Sequence, residues 1–267
     1  MEYRVLETIS ELGAAVEVEI AVWGLNPRDA VPLNLLRAVT HTGGVALGAY
    51  DGDVMVGMAF AFPARHHGKF ILWSHMTGVL PQYQARDIGF TLKQKQREWA
   101  LANGYDEIGW TFDPLKRGNA NFNLHRLGVT ANVYHVDFYG QMEDAINVGT
   151  PSDRLEVIWQ LNDARVAALA KGETVATNFP SLSPENTILS AVDTRPILNL
   201  NFETPLVFAE IPSAVDKLSA DAQQAWRLAL RETLQTAFKC GYTAVDFIRA
   251  NEKHLYVLER LLDLPIF

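Results

Sequence analysis

Residues 79–93 read VLPQYQARDIGFTLK, and this stretch decides the fold because it joins a predicted strand to a predicted helix. The strand, FILWSHMTGV at 70–79, runs into Pro81, and an amphipathic helix of about fifteen residues follows the loop. Backbone N–H groups in the first turn of a helix have no intrahelical partner and lie at the positive end of its dipole. The loop is therefore expected to hold an anionic group.

Asp87 is the exception in this loop, because it stands where a phosphate-holding loop usually has a glycine. A carboxylate a few ångströms from a phosphate costs on the order of 1 to 4 kcal/mol at surface-like dielectric. Arg86, Lys93 and Lys95 are expected to offset part of that cost. Alternatively, Asp87 turns outward and caps its own helix, a position at which aspartate is favoured.

The segments around the loop predict a mixed α/β sheet. Upstream, residues 9–24 and 31–39 carry helical patterns, and residues 43–63 predict a hairpin that turns at Asp51-Gly52 and ends at Pro63. Downstream, EIGWTF at 107–112 is reached through a helix and should lie parallel to the strand at 70–79. The last elements predicted before residue 140 are a short helix at 119–128 and a strand at 131–140.

The helix after the loop has one predicted buried face. Its apolar members are Ile88, Leu92, Trp99 and Ala100. The polar residues Lys93, Lys95, Gln96 and Arg97 are predicted to lie elsewhere on the helix. Gly104 ends it.

The second half of the chain echoes the first. INVGTPSD at 146–153 is the best boundary candidate, which gives domains at 1–140 and 141–267. Residues 226–247 repeat the helix, Gly-Tyr and strand plan of residues 90–112, which indicates a degenerate tandem copy. The alternative is a coincidence of the kind that any α/β chain shows. In either case the copy lacks the loop, since residues 213–224 contain no glycine.

Charge and composition narrow the classes of partner. Twenty-three basic against 31 acidic residues give a net charge of -8, which disfavours nucleic acid and anionic membranes. A small molecule or another protein is the expected partner. The sequence begins without a leader pattern, contains no run of 18 apolar residues and has one cysteine, Cys240, so a cytoplasmic location is expected.

The loop and its neighbours resemble the GNAT superfamily of acyl-CoA N-acyltransferases. That family has a strand ending in Val-x-Pro and a loop written Q/R-x-x-G-x-G/A, followed by a helix. Here the matching residues are Val79, Pro81 and Gln84 to Gly89, and the resemblance covers roughly residues 1–140. It implies a GNAT fold with a second, degenerate GNAT-like α/β half, in which the strand at 70–79 splays away from that at 107–112.

The resemblance also implies a cosubstrate and a substrate. The cosubstrate is acetyl-CoA or another acyl-CoA, and the acceptor is the amine of a small molecule, such as an amino acid. A monomer or homodimer is expected. The residues implied to bind the cosubstrate lie at the strand end, in the loop and in the later short helix: Val79, Gln84, Ala85, Arg86, Asp87, Ile88, Gly89, Phe90, Asn119 and Asn123.

Acyl transfer from a thioester to an amine needs a base, oxyanion donors and an acid. His75, on the strand before the loop, is the candidate base, and a backbone N–H near Val79 is the candidate oxyanion donor. The alternative for His75 is a core histidine satisfied by a carbonyl. The tyrosine acid of many family members is absent, because Leu124 stands at its position. Tyr134 or Tyr139 is the candidate replacement, although buried strand tyrosines are commonly structural.

Polar residues near the short helix have two interpretations. Asn119, Asn121 and Asn123 either cap the helix or contact the two substrates. Asp113 either binds a substrate ammonium or begins the turn before Pro114. The sequence shows no cluster at metal-ligand spacing, so no metal is expected.

A rival from another class is a GNAT-like protein that no longer catalyses and serves as a binding or assembly module. Asp87 and the missing tyrosine favour that rival. Gln84, Arg86 and Gly89 favour the enzyme.

Overall fold

The structure is a computed structural model that describes residues 1–140 and 151–260. The described residues form two compact units. Unit 1 comprises residues 1–110 and 160–162, and unit 2 comprises residues 111–140, 151–159 and 163–260. The predicted boundary segment, 146–153, lies largely outside the described residues. Among the described residues, the first passage from unit 1 to unit 2 follows Trp110, within a strand, and the predicted division into domains at 1–140 and 141–267 stays a prediction.

Unit 1 contains the helices and strands predicted around the loop and one further strand. They are β1 (Glu2–Val5), α1 (Ile9–Trp23), α2 (Leu33–His41), β2 (Val45–Asp51), β3 (Val54–His66), β4 (Lys69–Val79), α3 (Ile88–Ala102) and β5 (Glu107–Phe112). The sheet order is β1-β2-β3-β4-β5. The first four strands pair antiparallel, and β5 pairs parallel to β4. The predicted mixed sheet and its parallel pair are confirmed.

Two details of unit 1 differ from the sequence prediction. Strand β3 continues past Pro63 to His66, because β4 is paired with β3 over the whole length of β4. Strand β1 was not predicted, because four residues are too few for a period-two pattern to stand out.

Helices α1 and α3 lie on opposite faces of this sheet. Met58 and Phe60 of β3 belong to the apolar cluster that includes Leu12 and Ala15 of α1. The intervening positions face the other way, because side chains alternate along a strand. A Cβ on Gly57 would lie 3.2 Å from Leu92 of α3. The start of α1 is fixed by a capping box between Thr8 and Glu11.

Unit 2 contains more strands than unit 1, and fewer of its elements were predicted from the sequence. Its elements are α4 (Arg117–Ala120), a π-helix (Asn121–Leu127), β6 (Thr130–His135), β7 (Arg154–Gln160), α5 (Ala164–Ala170), β8 (Thr187–Val192), β9 (Arg195–Leu198), β10 (Leu206–Ile211), α6 (Ala220–Lys239), β11 (Tyr242–Ala250) and β12 (Lys253–Arg260). The strand order is β7-β6-β11-β12-β10-β8-β9, with β10 parallel to β8. The predicted short helix and the strand after it correspond to α4 with the π-helix and to β6.

The predicted tandem copy can be compared with the sheet of unit 2. The order β10, α6, Gly241, β11 follows the order β4, α3, Gly104, β5. The pairing differs, because β12 lies between β10 and β11 and pairs antiparallel with both. The copy therefore shares element order but not strand adjacency, and common origin stays a prediction.

Within the described ranges, no helix combines the length and the apolarity that crossing a bilayer would require.

Candidate active site

The site in unit 1 is built around the point at which β4 and β5 part. The parallel register pairs Leu72 with Ile108 and Trp73 with Gly109. Strand β4 then continues to Val79 beside β3. We call the opening beyond the Trp73–Gly109 pair the fork. Among the described residues, β4 and β5 form no recorded pair beyond this one, as expected for the splay that the resemblance implies.

A glycine and a bulge shape the fork. A Cβ on Gly109 would lie 2.9 Å from the Trp73 ring, so only glycine allows the strands to approach here. On the other side of β4, Ala61 of β3 pairs with Ser74 while Phe60 pairs with Met76. His75 is the extra residue, which makes it a β-bulge. Bulges re-aim side chains and leave the extra residue's backbone outside the ladder.

The loop connects the end of β4 to α3 through two left-handed residues. Pro81–Tyr83 form a single 3-10 turn, and Ala85 and Asp87 then take φ values of 62° and 56°. Helix α3 begins at Ile88. Left-handed backbone is where glycine is favoured, and aspartate is among the few residues that tolerate it. The chain therefore keeps a glycine-like backbone at Asp87 while adding a carboxylate.

The alternative that Asp87 caps its helix is not supported. Asp87 occupies the N-cap position, but its side chain makes no cap hydrogen bond. Its carbonyl oxygen accepts the N–H and the hydroxyl of Thr91 at 2.9 and 3.1 Å. The left-handed φ explains this, since an aspartate that caps through its side chain normally has extended backbone.

The predicted cosubstrate-binding residues of unit 1 adopt three environments. Gln84, Ala85, Arg86 and Asp87 are exposed, Gly89 and Phe90 are half-buried, and Ile88 is buried in the core. Gln84 donates from Nε2 to the Val79 carbonyl at 3.2 Å, which ties the loop to the strand end. The Arg86 guanidinium lies 5.2 Å from the centre of the Tyr83 ring. The loop thus presents backbone N–H groups on a surface-accessible segment.

His75 lies among aromatic side chains. Its ring centre is 6.3 Å from that of Phe60, edge to face, and 5.9 Å from that of Phe62. Burial lowers the pKa of His75 from its ordinary value of 6.5. The imidazole is therefore neutral at pH 7, which is the form that a proton acceptor needs.

Lys93 and Gln96 were predicted to lie away from the buried face, and that prediction is wrong. Lys93 is 3% exposed and Gln96 is fully buried. Lys93 donates from Nζ to Ser74 Oγ at 3.0 Å and to Gln96 Oε1 at 2.6 Å. Both side chains therefore lie on the face of α3 that packs against the sheet. The spacing of Gln96, four residues from Leu92 and from Ala100, is the signal that could have found it.

The remaining predicted site residues belong to unit 2. Asn119 is exposed in α4, and Asn123 is buried in the π-helix. Tyr134 is buried, and its hydroxyl donates to Asp153 Oδ2 at 2.7 Å. Burial and that hydrogen bond raise the pKa of Tyr134 above its ordinary value of 10.0. Such a phenol is a poor proton donor, which favours a structural role, while the predicted functional roles of all three residues stay predictions.

Asp113 does not match the prediction of an ammonium-binding carboxylate. Both of its oxygens accept from the guanidinium of Arg227, at 2.6 and 3.0 Å. Oδ1 also accepts the backbone N–H of Leu115, as expected for the start of a turn. The turn interpretation is confirmed, and the ion pair occupies the carboxylate.

Comparison with known proteins gives similarity of fold alone. No family model matches the sequence, and no curated protein matches it. Among solved structures, smu.2055 from Streptococcus mutans is 15% identical, with a TM-score of 0.50 over 61% of this chain and 100% of that one. The ribosomal-protein-S18-alanine N-acetyltransferase from Escherichia coli is 13% identical, with a TM-score of 0.49 over 61% and 95%. Naa50 from Arabidopsis thaliana is 16% identical, with a TM-score of 0.47 over 59% and 96%.

The GNAT-type fold predicted from the loop is confirmed by the order of the elements and by the fork. The antiparallel meander leads into β4, the loop into the N-terminus of α3, and α3 into a strand parallel to β4.

Proposed function

We propose that this chain is an acyl-CoA-dependent N-acyltransferase that transfers an acetyl or other short acyl group to the amine of a small molecule. The observation that carries the proposal is that the fork in unit 1 is followed, along β4 to Val79, directly by the loop and the N-terminus of α3. The first-turn N–H groups of α3 suit the pyrophosphate of CoA. The unpaired edge of β4 suits the pantetheine arm and the acyl group.

His75 is the residue we assign to proton acceptance. An amine attacks a thioester only as the neutral base, so a group near the fork must take its proton. His75 is neutral at pH 7 and lies in the bulge at the fork. The attack joins nitrogen to the acyl carbon and expels the thiolate, which takes up a proton. Backbone N–H groups of β4 are the candidates for stabilising the oxyanion.

The test is a thiol-release assay over a panel of amines with several acyl-CoAs. We expect thiol release that depends on one class of amine. His75→Ala should lower kcat/KM roughly 100-fold or more, the usual contribution of a positioned base. His41→Ala, an exposed histidine at the end of α2, is the matched control and should be unchanged.

The burial of His75 predicts the direction in which the pH dependence of kcat/KM is shifted. A base with a lowered pKa stays neutral to lower pH, so the acidic limb of kcat/KM should have its midpoint below 6.5. A profile from pH 5 to 9 measures it. Full activity of His75→Ala over that range would remove His75 from the mechanism and favour a water as the acceptor.

One observation favours the rival, a GNAT-like binding or assembly protein that does not catalyse acyl transfer and has lost tight CoA binding. Asp87 places an exposed carboxylate at the N-terminus of α3, where it opposes a pyrophosphate. Calorimetry with CoA and acetyl-CoA separates the two. Absence of binding at millimolar ligand would contradict the enzyme and support the rival.

A further inference from the structure

Lys93 spans the opening of the fork. Ser74 on β4 and Trp110 on β5 are the first residues beyond the last parallel pair. Lys93 donates from Nζ to Ser74 Oγ at 3.0 Å, and the same nitrogen lies 3.8 Å from the centre of the Trp110 ring. The side chain thus reaches from α3 to both strands at the point where they separate.

Gln96 adds a second donor beside Lys93. Its Oε1 accepts from Lys93 at 2.6 Å, which fixes the orientation of the amide because the opposite orientation would face a donor with a donor. Its Nε2 is buried and has no hydrogen-bond partner among the described residues. A buried donor without an acceptor is rare in native proteins and requires an explanation, such as an acceptor on a bound ligand.

Ser74 completes the set of donors. Its Oγ accepts from Lys93, so its own hydroxyl proton remains available to donate. Ser74 is 4% exposed. The Lys93 side-chain nitrogen, the Gln96 amide and the Ser74 hydroxyl therefore lie together in one buried region at the fork.

We propose that Lys93, Gln96 and Ser74 bind a carboxylate carried by one of the two substrates. This proposal rests on the proposed acyl transfer and names the chemical class of its substrate. A carboxylate has two oxygens that together accept up to about four hydrogen bonds, which is enough for donors from all three side chains. The carboxylate belongs either to the acyl group, as in a succinyl or malonyl thioester, or to an amino acid acceptor.

Electrostatics support the same assignment. Burial lowers the pKa of Lys93 well below its ordinary value of 10.5. A carboxylate placed beside the ammonium favours the charged form and raises that pKa again. The attraction is strong in this setting because little water screens the pair.

The first experiment tests the site without requiring catalysis. Thermal unfolding of the full chain is titrated with succinate and, separately, with succinamide at constant ionic strength. We expect the Tm to rise with succinate alone. Lys93→Met should raise the apparent Kd for succinate at least tenfold, while Lys95→Met, which removes an exposed lysine of the same helix, should leave it unchanged.

A second variant distinguishes loss of the carboxylate site from a folding defect in Lys93→Met. Gln96→Glu supplies a carboxylate at the site, which would pair with Lys93 and compete with the ligand. We expect this variant to fold and to lose the response to succinate. Equal responses to succinate and succinamide, or an unchanged Kd in Lys93→Met and Gln96→Glu, would overturn the proposal.

The second experiment identifies the source of the carboxylate by kinetics. Acetyl-CoA is compared with succinyl-CoA, and glycine is compared with glycinamide. A preference for succinyl-CoA or for glycine that Lys93→Met abolishes assigns the carboxylate to the acyl group or to the acceptor, respectively. Acylation without any carboxylate preference or succinate response overturns this inference and leaves the proposed function. A succinate response without thiol release on the whole panel supports the site and overturns the function.

Discussion

Asp87 combines two properties that a single substitution can separate, its left-handed backbone and its charge. We expect Asp87→Gly to tighten CoA binding several-fold, because glycine keeps the left-handed conformation at lower strain and removes a carboxylate from the helix N-terminus. Each 1.4 kcal/mol of removed repulsion corresponds to about tenfold in Kd. Calorimetry with CoA measures the change.

Asparagine at the same position isolates the charge. Asp87→Asn tolerates the left-handed backbone, so a gain equal to that of glycine would assign the effect to electrostatics. Asp53→Asn, in the exposed turn between β2 and β3, changes the net charge equally and serves as the control. Weaker CoA binding in Asp87→Gly would mean that the carboxylate organises the loop.

Glu19 of α1 is a buried acid away from the proposed chemistry. It is 1% exposed, its Oε1 accepts the backbone N–H of Val31 at 3.0 Å, and burial raises its pKa above the ordinary 4.5. The unfolded chain loses this proton at lower pH than the native one, so stability falls as pH rises from 4.5 through the native pKa.

Glu19→Gln should therefore be more stable than the natural protein at pH 8, and the gain should shrink toward pH 4.5. Urea unfolding across that range measures it. Glu17→Gln on the exposed side of α1 is the control and should show no such trend. A gain that is constant with pH would assign the effect to packing and not to ionisation.

At the level of elements, the contact between α1 and β4 depends on a glycine. A Cβ on Gly78 would lie 2.7 Å from Cη2 of Trp23 and 3.1 Å from Val22. We expect Gly78→Ala to destabilise the protein by about 1 to 3 kcal/mol, because the helix must move away from the strand. Chemical denaturation measures the loss.

Gly89 provides the comparison within the same unit. Its added Cβ would meet only Val79, at 3.8 Å, and its position in α3 favours alanine over glycine. Gly89→Ala should therefore be neutral or stabilising by about 0.5 kcal/mol. Equal losses at both positions would contradict the packing argument.

In unit 2, helix α6 is joined to its sheet by a buried ion pair. Asp153, just before β7, is fully buried and accepts from Nε and Nη2 of Arg231 on α6 at 2.9 and 3.0 Å. Burial alone would raise the pKa of Asp153, but the hydrogen bonds from Arg231 and Tyr134 outweigh it and lower the pKa below 3.8.

Arg231→Met leaves this carboxylate without its cation and should destabilise the protein by about 3 kcal/mol at neutral pH. The natural pair contributes stability above pH 3.8, which is lost as pH falls through the native pKa, so the difference between the two proteins should shrink in acid. Denaturant midpoints from pH 3 to 7 test this. Arg249→Met, which removes one partner of an exposed pair, should have no measurable effect.

At the scale of the whole molecule, the two units divide the residues singled out from the sequence. The loop, the fork, His75 and Lys93 belong to unit 1, whereas Asn119, Asn123 and Tyr134 belong to unit 2. The sequence predicts all of them within one domain, at 1–140, and that division stays a prediction. The predictions that concern unit 1 are therefore those on the loop, His75 and the carboxylate site, and each is tested on the full chain.

The sequence by itself determined the elements around the loop and the parallel partner of β4. Turn residues, helix periods and caps act over a few neighbouring residues, so they can be read without knowing what packs opposite.

Only the tertiary structure decided the chemistry of the fork. The bulge at His75 depends on the register between β3 and β4, and the burial of Lys93 and Gln96 depends on the strands that α3 covers. The position of β12 between β10 and β11 likewise depends on which strands pair across the sheet. These features arise from residues far apart in the chain, and a period or a cap cannot encode which distant surface a side chain will meet.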